Sequence, residues 1–552
     1  MKSKTFRENF LKTPYLKSLQ LQSLIFGGLV LIASIWPPLA YSQTGQFLQN
    51  GEEVITTTKA GGQTRFSFRV DNAGAGVVSV GQVNGSNAAL EIAVVDSNEE
   101  TIGTSINASN SGFPDAAASV EFSTSQSGIF HVDVFDLSFG GTEIRIRAFA
   151  GSSETPTLIN DRDVAPMNGQ EFLTSTPLGT FAIFPFQVDS TGSVIATVSS
   201  FTGVSRLQIF DPDGSLVAAD GGFEFDQTAN ASFDANKTGT YTAVASSDAN
   251  IFSNEAFFQT RILVVAQDAE LVSDREVALE NGQEFTSSVP SGAFSVFPIQ
   301  VTSAGIIFIS VGETSSSAPA EPQISLYDPN GNLVAVDGST NASHSQAFIQ
   351  AATSQAGRYT AVVSDFSKND DMEFRMRVLT LPNSPALVDG RDSAILKGQE
   401  EVVSFQSGSF SIFQFRADAA GTVELIFDDL DRTFNLQSYV VAPDGNLVDA
   451  EIDTASYVEF NASQAGTYTG VVRALEDLGG TNKLITIRAR GISDSLSVLL
   501  GDCDQNGVVD FSDIAPFITT LSTGVYLAEA DVDENEIVDF DDISPFIVIL
   551  AS

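Results

Sequence analysis

The sequence holds one cysteine, Cys503, in 552 residues, so no internal disulfide framework can exist. Only two histidines occur, His131 and His344. Neither a Gly-x-Ser-x-Gly nucleophile turn nor a His-Glu-x-x-His zinc helix is present. His131 falls at a repeat position held elsewhere by Thr242 and Thr360, which reads as a solvent-facing strand site, and His344 falls in a polar turn. No catalytic residue is assigned. A carboxylate pair for sugar hydrolysis must be seen in space, but a duplicated framework with no unique insert argues against one. Positive charge is also scarce, with 27 Lys and Arg against 69 Asp and Glu, a net −42. Without a basic stripe there is nothing to displace counterions from phosphates, which excludes nucleic acid and anionic membrane surfaces as electrostatic partners. After the first 42 residues no apolar run is long enough to span a bilayer.

What is present begins with an export signal over residues 1–42. Lys2, Lys4, Arg7, Lys12 and Lys17 precede an apolar core, and Ala40-Tyr41-Ser42 offers small residues for cleavage before Gln43. An uncleaved anchor is the alternative, and the apolar run is shorter than the ~18–20 residues a span needs. The expected location is secreted or at the cell surface.

From Gln43 to Arg490 the sequence repeats at a period of about 115 residues, the size of whole domains. An opening Gly-Gln/Glu-Glu recurs at Gly51, Gly169, Gly282 and Gly398. A mid-repeat turn recurs as Asp211-Pro-Asp-Gly, Asp328-Pro-Asn-Gly and Ala442-Pro-Asp-Gly, with a decayed version at Asp96-Ser-Asn-Glu. A closing strand recurs at Gly128, Gly239, Gly357 and Gly466. Proline fixes one backbone angle and Asp-Gly or Asn-Gly tolerates positive φ, which turns a strand back along its neighbour. Segments such as Phe181-Ala-Ile-Phe-Pro-Phe-Gln-Val place bulky residues at period two, the pattern of a half-buried strand. The fold class expected is mainly β: four tandem antiparallel β-sandwiches of jelly-roll type, then a small helical module. The boundaries expected are 43–155, 156–268, 269–383 and 384–491 for the sandwiches and 492–552 for the module.

Ile324-Ser-Leu-Tyr-Asp-Pro-Asn-Gly and Leu207-Gln-Ile-Phe-Asp-Pro-Asp-Gly, with the later aromatic after Gly-Thr, resemble the bacterial pre-peptidase C-terminal domain. The first repeat (43–155) matches least. The resemblance implies accessory modules of secreted proteins and no catalysis of their own.

The C-terminal stretch writes one pattern twice, 29 positions apart: Asp502, Asp504, Asn506, Val508, Asp510 and Asp513, then Asp531, Asp533, Asn535, Ile537, Asp539 and Asp542. Side-chain oxygens at positions 1, 3, 5, 9 and 12 of a twelve-residue loop, with the carbonyl of position 7, converge on one hard cation of the calcium type. Each loop runs into a short helix, with apolar stripes Ile514, Phe517, Ile518, Leu521 and Ile543, Phe546, Ile547, Leu550. Pro516 and Pro545 sit in the first turns, where a missing N–H loses little. Over about the last fifty residues this arrangement resembles the type I dockerin, which implies two calcium ions and a cohesin-like or other extracellular protein partner. Glu536 stands where the first loop has Gly507, and a side chain at that left-handed turn costs about 1–2 kcal/mol, so the second site is expected to bind more weakly. Loop positions 10 and 11, which read the partner in that family, are Phe511-Ser512 and Phe540-Asp541 here.

Beyond Arg490 there is no Lys or Arg, so apart from a divalent cation nothing local is expected to neutralise these acids. Further acid groups at Asp211, Asp213 and Asp220, and at Asp428, Asp429 and Asp431, read as turn or solvated acid. Asn-Ala-Ser triplets at Asn107, Asn230, Asn341 and Asn461 are formal glycosylation acceptors that polar turns would explain equally well. The function expected is an exported, non-catalytic chain that binds calcium and docks to a protein partner or surface, the sandwiches serving as spacers or adhesive modules for a glycan or cell-surface polymer. The alternative is an accessory subunit, or a hydrolase, of an extracellular polysaccharide- or protein-degrading assembly.

Overall fold

The computed structural model describes residues 42–550 except 84–89, 107–116, 137–140, 152–154, 178, 201–203, 222–226, 249–254, 315–320, 339–345, 366–370, 384, 386, 389–390, 407, 430–434, 454–456, 476–482, 493–499, 504–508, 524–526, 528 and 534–536. The export segment up to Tyr41, His344, Asn107, Asn341, Asp431, Asp504, Asn506, Val508 and Asn535 therefore lie outside the described residues. The chain divides into two compact units, Met1–Thr157 and Leu158–Ser552. Among the described residues no helix is long and apolar enough to cross a membrane.

The second unit shows the repeated plan most clearly. Strands Glu171–Pro177, Glu255–Val264, Gly192–Ser200 and Thr228–Ala235 form one antiparallel sheet in that order. Strands Phe181–Val188, Gly239–Asp248, Val204–Phe210 and Leu216–Gly221 form the other. Phe184, Phe186 and Tyr241 of one sheet bury against Val194, Val198 and Phe258 of the other. That common core is what makes the pair a sandwich. The same order recurs from Glu284 to Leu381, and again from Glu400 to Arg490 with a two-residue strand, Ser393–Ala394, added in parallel to Ser411–Ala417. The first unit has the same two layers, with Ser42–Leu48 added in parallel to Gln63–Val70.

The mid-repeat turn works as its sequence suggests and has a further fastening. One oxygen of Asp211 accepts the amides of Asp213 (3.0 Å) and Ser215 (2.8 Å), and Asp328 does the same for Asn330 and Asn332 (2.9 Å each). Gly214, Gly331 and Gly445 take φ of 80°, 77° and 80°. In the first unit Glu99 holds that left-handed place at φ 63°, and Arg65 reaches its carboxylate at 2.9 Å. The Asn-Ala-Ser triplets differ from expectation. Asn230 and Asn461 sit within strands Thr228–Ala235 and Tyr457–Ala462, not in turns.

The sandwiches of the second unit are packed against one another by buried charge, not strung as separate beads. Arg261 is fully buried and directs both terminal nitrogens at Glu276, which leads the third sandwich. Arg275 returns the contact to Glu171. At the next joint Arg377 grips Asp392 (2.9 Å at one nitrogen) and Arg391 grips Glu284. Each leading acid also staples its own turn: Glu276 accepts from Val272 and Val296, and Asp392 from Val388 and Ile412. Apolar clusters seal both joints, Leu263, Phe294 and Tyr327 at one and Phe308, Phe348, Phe410 and Tyr439 at the other. The equivalent arginine of the fourth sandwich, Arg488, is followed by the helical module instead and is about half exposed, paired with Glu400 and Asp428.

Candidate metal centre

Among the described residues the terminal module has two α-helices, α1 (Ile514–Thr523), entered through a 3-10 turn Phe511–Asp513, and α2 (Ile543–Leu550). Their apolar faces meet at Phe517 and Phe546, whose rings stack with centroids 4.1 Å apart. Cys503, Ala530 and Val532 complete the buried core, and Cys503 is in no disulfide. The helix stripes are narrower than the sequence suggests. Ile518 and Ile547 are each 56% exposed, because two short helices bury only one row of side chains against each other. Ile514, Leu521, Ile543 and Leu550 flank that row.

In the second loop Asp531, Asp533 and Asp542 each bring one carboxylate oxygen within 4.8 Å of the others. Asp542 is fully buried and organises the loop: one oxygen accepts the amides of Val532 (2.6 Å) and Asp533 (3.1 Å), the other that of Asp539 (2.9 Å). A carboxylate oxygen carries more lone pairs than these amides use, so capacity for a cation remains. Asp539 caps the following turn by accepting from the amide of Asp541 at 2.8 Å. Ile537, at the carbonyl position, has its side chain 59% exposed. In the first loop Asp513 accepts from the Asp510 amide (2.8 Å), and Asp510 accepts from both the amide and the hydroxyl of Ser512 (2.7 Å each). Asp502 and Asp513 are fully buried. Asp531 and Asp542 are buried and Asp533 is exposed; three carboxylate oxygens at this spacing suit a single hard cation, because like charges held close together are costly unless a positive charge joins them.

Phe511 and Phe540, one in each copy, are 81% and 80% exposed. Neither belongs to the module's core.

The expectation that nothing local neutralises these acids is overturned for Asp502. Arg416, on strand Ser411–Ala417 of the last sandwich, is buried with its guanidinium 3.3 Å from Glu529 and 3.8 Å from Asp502. Sequence reasoning missed it because the partner lies 113 positions away in the case of Glu529. The repeat gave no signal either, since strand register places Arg69, Gln187 and Gln300 where the last sandwich has Arg416.

Of the other acid groups, Asp211, Asp213, Asp220 and Asp428 are satisfied by protein. Lys237 lies 2.6 Å from both Asp211 and Asp213, and those hydrogen bonds hold its ammonium charged well above the usual lysine range. Asp220 accepts from the Asn230 amide, and Asp428 pairs with Arg488. Asp429 closes strand Gly421–Asp429. His131 is partly buried, with Nδ1 3.0 Å from the Ser67 hydroxyl. A recess of about 240 Å³ on the second sandwich, lined by Met167, Asn168, Phe186 and Gln187 among others, contains no titratable side chain and so offers no acid–base chemistry.

No protein-family model and no curated protein matches this chain. Among solved structures, the pre-peptidase C-terminal domain of a collagenase from Bacillus anthracis aligns at 16% identity over 20% of this chain and 99% of that one, with a TM-score of 0.17. A triple jelly-roll protein from the turret of an archaeal virus aligns at 10% identity over 60% of this chain and 90% of that one, also at 0.17. Sulfolobus turreted icosahedral virus gives 11% identity over 57% of this chain and 84% of that one, at 0.14. Scores this low carry nothing beyond themselves, and the fold rests on the sheet pairings above.

Proposed function

We propose that this chain is an exported, non-catalytic series of β-sandwiches, serving as spacer or adhesive modules, whose terminal module binds calcium and docks to an extracellular protein partner. The observation that carries the reading is the second loop, where Asp531, Asp533 and Asp542 converge within 4.8 Å in a segment with no lysine or arginine of its own. Oxygen-only donors at that spacing favour calcium over softer metals. The residues that would hold it are Asp531, Asp533, Asn535, Ile537 through its carbonyl, Asp539 and Asp542, with Asp502, Asp504, Asn506, Val508, Asp510 and Asp513 in the first loop. Calcium would supply the positive charge that lets these acids sit together, and the protein does the rest by stapling each loop through Asp513 and Asp542.

Docking is supported by Phe511 and Phe540. Large aromatic rings left in water on a folded module are anchors in search of a pocket, and here they come as a pair with Ser512 and Asp541 beside them. Buried arginine clamps at the joints of the second unit favour sandwiches that act together as a spacer for the module. Calcium titration calorimetry on the full chain, followed by partner capture from extracellular extract with and without chelator, tests the reading. Heat of uptake and chelator-sensitive capture are expected; no heat at millimolar calcium refutes it.

A further inference from the structure

The joints of the second unit use the same two faces each time, and each face is rewritten in one sandwich of the repeat. The receiving face is the outer side of the sheet that carries the clamp arginine, and the inserting face is the outer side of the other sheet in the next sandwich. Between the second and third sandwiches the cross-strand pair Ile195–Leu263 receives Val296–Val362. Between the third and fourth, Phe308–Leu379 receives Ile412–Val471. The turn that enters with the inserting face also needs a small residue beneath it. A Cβ on Gly292 would strike Thr228 and Ser199, and one on Gly408 would strike Gly312.

Strand register, counted from the clamp arginine, gives the receiving pair of the first sandwich as Val77–Phe149, with Gly81 in the place of Ser199 and Gly312. In the fourth sandwich the same places hold Glu424–Arg490 and Asp428. Glu424 and Arg490 are 3.4 Å apart with the arginine largely in water, and Asp428 pairs with Arg488 at 3.0 Å. The inserting face shows the mirror change. Counted from the glycine that opens the closing strand, its pair is Ile183–Val244, Val296–Val362 and Ile412–Val471 in the last three sandwiches. In the first sandwich it is Arg65–Asp133, joined by hydrogen bonds of 2.7 and 2.8 Å.

We propose that Arg65–Asp133 on the first sandwich, and Glu424–Arg490 with Asp428 on the fourth, close the two unused stacking faces against a second copy of this chain. Without them the first sandwich would offer an apolar inserting face and the fourth an apolar receiving face. Those faces are complementary, and a head-to-tail contact of that kind adds chain after chain because it does not close on itself. With them, stacking would strip water from both ion pairs and return no new partner to either, a cost that opposes contact. Each charged pair replaces an apolar pair at the same cross-strand register, so the oppositely charged residues stay side by side within their own sheet. The stacking surface written into the repeat is thereby spent inside one chain. This inference is independent of the metal reading of the terminal loops.

The test is sedimentation velocity on the full chain. Wild type should run as a single chain at every concentration. A receiving variant, Glu424→Phe with Asp428→Gly and Arg490→Leu, and an inserting variant, Arg65→Val with Asp133→Val, install the residues the third sandwich holds at those places. Each should run singly on its own. Mixed in equal amounts they should form a species of twice the chain mass, and a chain carrying both sets of exchanges should grow into longer series. Glu424→Arg with Arg490→Glu keeps an ion pair and should form no complex with the inserting variant. Melting of each variant checks its fold. If either fails, the pairs of the second sandwich take their place, Glu424→Ile with Arg490→Leu and Arg65→Ile with Asp133→Val. Wild-type chains that associate, a mixture that stays single, a complex that forms with the charge-swapped chain, or a variant that associates alone as strongly as the mixture overturns the proposal.

Discussion

Arg377 fastens a joint between two sandwiches of the second unit, and its removal tests how they are joined. It is completely buried, its Nε donates to the Gly282 carbonyl at 3.2 Å, and its terminal nitrogens engage both oxygens of Asp392 and the Phe410 carbonyl. The guanidinium also lies 5.1 Å from the centre of the Phe410 ring. Arg377→Met keeps the aliphatic bulk and deletes the charge, leaving Asp392 buried with only the amides of Val388 and Ile412 to face it. Removing one member of a buried pair costs about 3–5 kcal/mol. At about 1.4 kcal/mol per factor of ten, exchange of the Ile412 amide, which is bonded to Asp392, should rise by about two to three and a half powers of ten. Hydrogen-exchange mass spectrometry on the full chain reads this, with the strand Gln63–Val70 of the first unit as an unaffected control. Asp392→Asn, which retains an acceptor but loses the charge, should cost a similar amount. The double variant should cost clearly less than the sum, because no unpaired charge remains. Protection at Ile412 that changes less than tenfold in Arg377→Met would refute the claim that buried charge fastens the joint.

Glycines at the joints should separate strain from collision. Gly408 has φ +68° and a Cβ there would lie 1.9 Å from Gly312 Cα in the neighbouring sandwich, whereas Gly398 has φ +78° and open space around it. Gly408→Ala should cost more than about 3 kcal/mol and Gly398→Ala about 1–2 kcal/mol, read by calorimetric melting. In the terminal module Phe517→Ala should lose about 3–5 kcal/mol and expose the amides of α1 to exchange even with calcium present, while Phe511→Ala should change stability by less than about 0.5 kcal/mol and reduce partner capture. Burial pushes the Tyr327 hydroxyl up to about 12 at the joint of the second and third sandwiches. Its unfolded value is about 10, so its contribution is intact below that pH and is lost as pH rises towards 12, about 2–3 kcal/mol in all. Tyrosinate absorbance during alkaline unfolding should show this step, and Tyr327→Phe should remove it.

Much of the architecture was legible because strand formation and turn formation are local. Period-two aromatics in Phe181–Val188 and Phe294–Val301 marked the strands, and Asp-Pro-Asp-Gly and Asp-Pro-Asn-Gly marked the hairpins, since backbone angles and alternation are set by neighbours in the chain. The approach of Asp531, Asp533 and Asp542 to one another was legible for the same reason, since all three lie within twelve consecutive residues. The decayed turn at Asp96 was legible only in part, since Arg65, which holds Glu99, comes from another strand.

What the chain could not say on its own is which of these pieces touch. Three turns carry the same signature, Asp161-Arg162-Asp163, Asp274-Arg275-Glu276 and Gly390-Arg391-Asp392, yet they read as ordinary polar turns until Arg261 and Arg377 are seen entering the second and third of them from strands 15 residues earlier in sequence. The exposed rings of Phe511 and Phe540 and the buried rings of Phe517 and Phe546 have the same chemistry, and only the packing of α1 on α2 separates them. Arg416 is the plainest case. Its composition and its strand were readable, but whether a lone arginine faces water or two buried carboxylates is decided by what folds against it, because Coulomb energy depends on distance in space and not along the chain.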